Sequence, residues 1–406
     1  MKNYLLQFKE RKYIFLPSYM DEEDIPETDF YDLPENINDI FKLRTLVFKN
    51  LPSTAKLQDI LDFITHGDIE NVEIDKMQNL GKVHFFDYTS LYRCYIDLSN
   101  QEVVIDNTTI SIGIEQSSKL SLNIENIHNL GATRSVFLVL DEFLDETFFT
   151  EYCKEFGEVE TIRIVKDKSI IYCDYFSFYS AIKFIENTTK DPLFTNKRFG
   201  FGWDRCFRQM SDTDEKSISL FNSNKTVYLG NIQNDISAED ILDSIKGGSI
   251  FCLKIHREKK CAFITFMSSL SAASFISLCN KSPLNIKGYR IKVNYGNNTP
   301  TPVPGILAVY NHATRVLKIE PIDDELTYTK VQQDCKDFGE IEKIQFGENS
   351  VKINFLFITD CYRAYTELKN KDFYDNYNLS FGNDRCGNTS ALDVVLYLQE
   401  NEFFEV

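Results

Sequence analysis

Histidine and tryptophan are scarce in this 406-residue chain, with five of the first and one of the second. The ten cysteines contain no C-x-x-C pair. Neither a zinc site nor a disulfide framework is suggested, and reduced thiols point to the cytosol or nucleus. No run of 18 apolar residues exists, so no segment is expected to span a bilayer and no membrane partner is expected. The N-terminal stretch MKNYLLQFKERKYIFLPSYM has no long apolar core and no small-residue cleavage site. A secretory signal is therefore not expected there. No Gly-rich phosphate loop, Ser/His/Asp set or metal cluster stands out, so neither an enzyme nor a cofactor is expected. His84 and His256 read as ordinary strand and hairpin positions.

Positive charge is also short overall, at 44 Lys+Arg against 61 Asp+Glu, a net charge of −17. Such a balance argues against a polyanionic partner. The average hides a pattern, because residues 225–299 hold ten basic and five acidic residues while the other segments are acidic. An acidic N-terminal arm (1–43, with DEEDIPETDFYD at 21–32) and an acidic tail (389–406) flank the rest. The arm reads as a solubilising tail or as a competitor for the basic segment.

What the chain does have is repetition. GATR at 131–134 returns as HATR at 312–315, and FGWDRC at 201–206 returns as FGNDRC at 381–386. KEFGEVETI at 154–162 returns as KDFGEIEKI at 336–344. RTLVFKNLP at 44–52 aligns with KTVYLGNIQ at 225–233. The offsets are all close to 181 residues, so the chain reads as two alternating unit types, A-B-A′-B′. The units fall at 44–116, 131–206, 225–299 and 313–388. The joining segments, 117–130 and 300–312, read as short spacers that raise effective concentration, the second proline-rich and semi-rigid.

The third unit shows the common rhythm. TVYLGNI is a β-branched run ending in Gly-Asn, so a strand and turn. SAEDILDSI has a Ser N-cap, early acids and one apolar face, so a helix, stopped by Gly247 and Gly248. SIFCLKI and CAFITF are strands around a charged hairpin, SLSAASFISLCN is a helix, and YRIKVNYG is a last strand. The order β-α-β-β-α-β predicts an α+β chain of four tandem ferredoxin-like units. In the KEFGEVETI repeat, Phe156 and Phe338 are expected to plug cores, with Gly157 and Gly339 making the turn.

Helices on one sheet face leave the other open. Alternation puts Val227 and Leu229 inward and Tyr228 outward. In the third strand it puts Ala262, Ile264 and Phe266 inward and Lys259, Cys261 and Phe263 outward. Tyr228 and Phe263 then lie side by side. Lys254, Lys259 and Lys260 supply charge for phosphate. An aromatic cluster on a rigid open sheet suits single-stranded nucleic acid, because every base has a flat face to stack.

VYLGNI and KKCAFITF resemble the hexamer and octamer of the RNA recognition motif (RRM), with Lys260 replacing a usual Gly and Cys261 a usual ring. The resemblance implies base stacking by Tyr228 and Phe263. In the second unit it implies the same for Phe137 and Tyr172, with Lys168 nearby and Ile170 where a ring is usual. In the first unit Phe85 of GKVHFFDY is the octamer candidate, while Val47 replaces the hexamer ring. In the fourth unit Lys318 stands in the hexamer, and the octamer has two registers. Either Phe355 faces out, or Phe355 is core and Asn354 faces out. The GATR…DRC frame is similar to that of fungal four-RRM mRNA-binding proteins related to the fission-yeast negative regulator of differentiation. That resemblance implies a post-transcriptional regulator in the cytoplasm or nucleus. Arg134, Arg205, Arg315 and Arg385 are then candidates for RNA contact, or Asp204–Arg205 and Asp384–Arg385 cap and dock the exit segment. Trp203 reads as a lid or a stacker.

Two other readings stay open. Degenerate RRMs could form a protein-binding scaffold through the first or fourth unit, or the chain could bind single-stranded DNA. For RNA, a shallow salt dependence is expected, with a log–log slope of about −2 to −3.

Overall fold

The computed structural model describes the backbone of residues 5–8, 12–15, 43–65, 67–139, 146–206, 224–245, 248–297 and 299–386. The acidic arm at 21–32, the Lys246–Gly247 part of the third unit's helix stop and the acidic tail lie outside the described residues. Strands Leu5–Phe8 and Lys12–Phe15 pair as a hairpin.

Four four-stranded antiparallel sheets follow, each with the spatial order second-third-first-fourth strand. The first module uses Leu43–Lys49, Ile69–Asp75, Leu80–Phe85 and Ser111–Gln116. The second uses Ser135–Val139, Val159–Val165, Ile170–Tyr175 and Phe199–Phe201. The third uses Thr226–Gly230, Ile250–His256, Cys261–Phe266 and Lys292–Tyr295. The fourth uses Val316–Glu320, Ile341–Phe346, Val351–Phe355 and Asn378–Phe381. One helix follows each first strand and another each third strand, giving an α+β fold of ferredoxin-like modules.

Local chemistry starts these helices where the sequence places them. Ser237 accepts from the Asp240 amide, and Asp240 accepts from the Ser237 amide at 2.7 Å, a reciprocal cap. Hydrogen bonds from Lys287 and Ser237 outweigh partial burial and hold the Asp240 carboxyl at about 2. Asp87 and Ser268 cap the second helices of their modules. Gly157 and Gly339 are needed for a reason other than the turn. An added Cβ would strike Ser180 in one module and Asp360 in the other, both on the following helix.

The chain divides into two compact units, residues 1–121 with 132–217, and residues 122–131 with 218–406. Within each unit two modules dock in the same way. In the first, the Val72 amide donates to Phe176 O at 3.1 Å, and Phe176 and Cys206 enter the first module's core. In the second, the Leu253 amide donates to Leu356 O at 3.0 Å, and Leu356 and Cys386 enter the third module's core. Cys206 Sγ reaches Ile64 O, and Cys386 Sγ reaches Leu242 O, each at the end of a first helix.

The repeated GATR…DRC words are the clamp behind this docking. Arg134 is 1% exposed and forks onto Asp204 through Nε at 2.6 Å and Nη2 at 2.8 Å. It also donates to Glu160 and Tyr175 O. Arg315, equally buried, forks onto Asp384 at 2.7 and 2.6 Å. Thr133 Oγ1 and Thr314 Oγ1 donate to Gly202 O and Gly382 O. Burial alone would lower the Arg134 pKa, but Asp204, Cys206 and Glu160 more than offset it, so the guanidinium stays charged. Burial pushes the Cys206 and Cys386 thiols up to about 12, which keeps them neutral in their sockets.

The third module departs from this scheme. Lys225 occupies the arginine position, Phe251 stands where the others have Glu70, Glu160 or Glu342, and Lys225 Nζ donates to Asn129 O at 2.9 Å. Burial lowers the Lys225 pKa to about 8. Both segments read as spacers are in fact structured. Leu122–Asn129 and Val303–Tyr310 are helices packed on one another, with Ile306, Leu307, Ala308 and Val309 buried. The apolar run GILAV overrides the prolines, because Pro302 and Pro304 sit at the helix start, where no amide partner is lost.

Two predictions follow from these buried charges. Asp204→Ala should destabilise the first unit by about 3–5 kcal/mol, because it leaves the Nε and Nη2 donors of a buried guanidinium without their carboxylate, whereas Arg205→Gln should cost under ~1 kcal/mol; urea unfolding of each variant checks this. For Lys225 the folded pKa lies below the unfolded one, so the unfolded state holds more protons between pH 8 and 10.5. Wild type should therefore gain stability relative to Lys225→Met as pH rises through that window, measured by urea unfolding at both ends.

Candidate nucleic-acid interface

The centre of each open face is one cross-strand pair between the first and third strands. Register fixes it as Val47 opposite Lys82, Phe137 opposite Tyr172, Tyr228 opposite Phe263, and Lys318 opposite Lys352. These are homologous positions, and they decide what each face offers.

In the third module the Tyr228 and Phe263 rings are half-buried, with centroids 5.5 Å apart and planes at 61°. His256 meets Phe263 edge-on at 5.6 Å. The rings lie over glycines. A Cβ on Gly230 would come within 2.8 Å of the Tyr228 hydroxyl, and one on Gly296 within 3.1 Å of Phe263. Lys254 is exposed and directly opposite Phe263, Asn294 is opposite Tyr228, and exposed Lys292 is opposite Gly230. Phe263 and Tyr228 thus have cations on both flanking strands. Lys259 and Lys260 are exposed but sit in the hairpin turn rather than in the strand. Lys260 takes φ 48°, so the strand begins only at Cys261, and Lys259 is not on the pleated face.

In the second module Phe137 and Tyr172 are half-buried, 6.0 Å apart at 48°. Arg163, opposite Tyr172 on the second strand, holds its guanidinium 5.2 Å from that ring. Asp174, 1% exposed, fixes it through Nε at 2.8 Å. Arg163 was not among the sequence candidates, yet alternation along 159–165 puts it on the open face. Trp203 is 57% exposed at the exit of the last strand, and its carbonyl accepts from Arg163. Lys168 is exposed at the hairpin end.

The first and fourth faces carry no ring at the centre. Phe85 and Phe355 are each fully buried core residues, not stackers. Arg44 donates to Phe85 O, Arg134 to Tyr175 O and Arg315 to Phe355 O, so these residues align with the inward aromatic that ends each third strand. The octamer of the first module is therefore 78–85, three residues earlier than expected, and an odd shift exchanges faces. In the fourth module the register with Phe355 as core is the one observed, with Lys352 outward at the centre. The first face is closed on itself. Lys82 pairs with Glu115 at 2.7 Å, and His84 bonds Thr45 and Glu73.

The arginines of the DRC words are also corrected. Arg205 pairs with Glu160 and lies 3.8 Å from Asp62. Arg385 pairs with Glu342, bonds Asp243 at 2.7 Å and donates to Glu239 O. Arg134 and Arg315 are buried. Arg205 and Arg385 reach acids of the neighbouring module, Asp62 and Asp243, whereas Arg134 and Arg315 bind acids of their own module and fix the exit segment that carries Cys206 and Cys386. Among the described residues no group of three His, Cys, Asp or Glu could hold a metal.

No family model matches the chain. The RNA-binding protein MRN1 of Saccharomyces cerevisiae is 26% identical over 406 aligned residues, covering 85% of this chain and 66% of its own length. The meiotically up-regulated gene 24 protein of Schizosaccharomyces pombe is 25% identical, covering 89% of this chain and 59% of its own length. The chain thus spans about two-thirds or less of these relatives. Among solved structures, the three N-terminal RNA-binding domains of the yeast splicing factor Prp24 cover 63% of this chain at 15% identity, with a TM-score of 0.21. An overlay that weak adds nothing to the strand order itself. By sheet order, by repeated motif and by homology, the chain is a relative of the fungal RRM-type RNA-binding proteins.

Proposed function

We propose that the chain binds single-stranded RNA, stacking bases on the Phe137–Tyr172 and Tyr228–Phe263 pairs. The observation that carries the reading is the placement of both ring pairs at the centre of open sheets, half-exposed and flanked by cations. Lys254 and Lys292 flank one pair and Arg163 the other. Each ring-bearing module then takes about two bases, so one strand would be held at two points. Hydrogen-bonding side chains at the rim, Asn294 and His256, supply selectivity among bases. The protein acts by binding, without catalysis. We infer further that the RNA is messenger RNA and that binding governs its stability or translation, in the cytoplasm or nucleus. The MRN1 relative, itself named an RNA-binding protein, supports the RNA part of this reading. Neither the first module's centre nor the DRC arginines take part.

Stacking is worth about 1–3 kcal/mol per base, so Tyr228→Ala/Phe263→Ala should cost about 2–6 kcal/mol, at least a ~30-fold loss of affinity for a degenerate RNA oligomer. Fluorescence anisotropy on the full chain measures this, with circular dichroism to show the fold retained. An unchanged affinity would contradict the reading, and equal binding of the matching DNA oligomer would remove the preference for RNA. Phe85→Leu, a core change, should leave the affinity of the folded protein unaltered. Trp203 gives a second readout. Acrylamide should quench its emission in the free protein, and saturating RNA should shield it as the strand covers the second face; unaltered quenching would mean that RNA does not pass that edge.

A further inference from the structure

We propose that the open face of the fourth module is a phosphate-binding face, on which Lys318 and Lys352 hold backbone phosphodiesters of the RNA whose bases stack in other modules. This rests on the RNA-binding reading above. The two lysines occupy the same central cross-strand pair that carries rings in the second and third modules. Like charges directly opposite on adjacent strands repel, so the pair weakens the free sheet unless an anion lies between them. Glu320 offsets only one of them, reaching Lys318 at 2.5 Å. Lys352 is exposed, and no ion pair engages it among the described residues.

The row around the pair fits the same ligand. Gln345 is opposite Lys352 on the second strand, and Ser380 is opposite Lys318 on the fourth. A line of four side chains able to donate hydrogen bonds therefore crosses all four strands. No ring is at the centre to hold a base. Ammonium groups bind phosphate as point charges, without a fixed bidentate geometry. The acidic average of this module, 14 acids against ten bases over 313–388, does not describe the face. Arg385 meets Glu342 and Arg315 meets Asp384 in the docking clamp, and Tyr377 holds Asp323 in a loop. The module is also docked on the ring-bearing third module of its own unit, through Leu253 N to Leu356 O. That neighbour favours RNA as the anion over an acidic protein segment.

The test compares the full chain with Lys318→Gln/Lys352→Gln and with Lys318→Arg/Lys352→Arg, each checked for fold by thermal melting. RNA affinity is measured across a salt series. Two phosphate contacts on a single strand contribute about 1.4 to the log–log slope, so the glutamine variant should show a slope shallower by about that amount and the arginine variant the original slope. Tyr228→Ala/Phe263→Ala should weaken binding without flattening the slope, which separates stacking from charge. Inorganic polyphosphate is the second probe, and it should bind wild type more tightly than the glutamine variant. A glutamine variant with the wild-type slope would overturn the proposal. So would poly-glutamate displacing polyphosphate at equal concentration of charge, which would favour an acidic protein partner. If wild type bound polyphosphate through these lysines but no RNA, the base-stacking reading and RNA as the ligand of this face would both fall, and only an anion-binding face would stand.

Discussion

The register between the first and third strands of each sheet is the constraint on which the rest depends. A strand exposes alternate residues, so one pairing decides which two side chains stand at the centre of the open face. The four modules share that pairing and differ in what fills it: Val and Lys, Phe and Tyr, Tyr and Phe, Lys and Lys. One fold thus yields two aromatic faces, one cationic face and one face whose central lysine is paired with Glu115. The aromatic ending each third strand stays buried throughout, as Phe85, Tyr175, Phe266 and Phe355.

The second constraint is the buried arginine that fixes the exit segment of the second and fourth modules, the segment that docks on the neighbouring module. Arg134 and Arg315 each satisfy a fork to an aspartate, a carbonyl and a cysteine sulfur, with almost no exposure. A charge so placed is tolerated only because each donor finds an acceptor. The following cysteine then reaches the neighbouring module's core, and a backbone hydrogen bond crosses beside it. Each pair is consequently held by packing and hydrogen bonds rather than tethered by a linker. Ring-bearing modules occur once per unit, the second module in one and the third in the other.

Much of this was legible in the residues. The 181-residue offset shows the duplication, and the strand–helix rhythm shows the fold. Tyr228 and Phe263 follow from alternation in strands whose inner residues are unambiguous. The misplaced residues have physical causes. Phe85 and Phe355 lie in aromatic runs, FF and FLF, where alternation gives no register. Alignment on the start of the second helix, Asp87 with Ser177, Ser268 and Phe357, would have put both inward. For Arg205 and Arg385 the sequence leaves RNA contact and docking both open, because their acids are distant, 45 residues for Glu160 and 43 for Glu342, and the structure has the docking arrangement. Helix Val303–Tyr310 was hidden by prolines that in fact open it.

The central claim is that nucleic-acid bases rest on two of the four faces and not on the other two. Photocrosslinking the full chain to single-stranded RNA carrying 4-thiouridine, followed by peptide mapping, tests this most directly. The account predicts adducts on the strands Ser135–Val139, Ile170–Tyr175, Thr226–Gly230 and Cys261–Phe266. Adducts concentrated on Leu43–Lys49 and Leu80–Phe85, or on the helices behind the sheets, would contradict it.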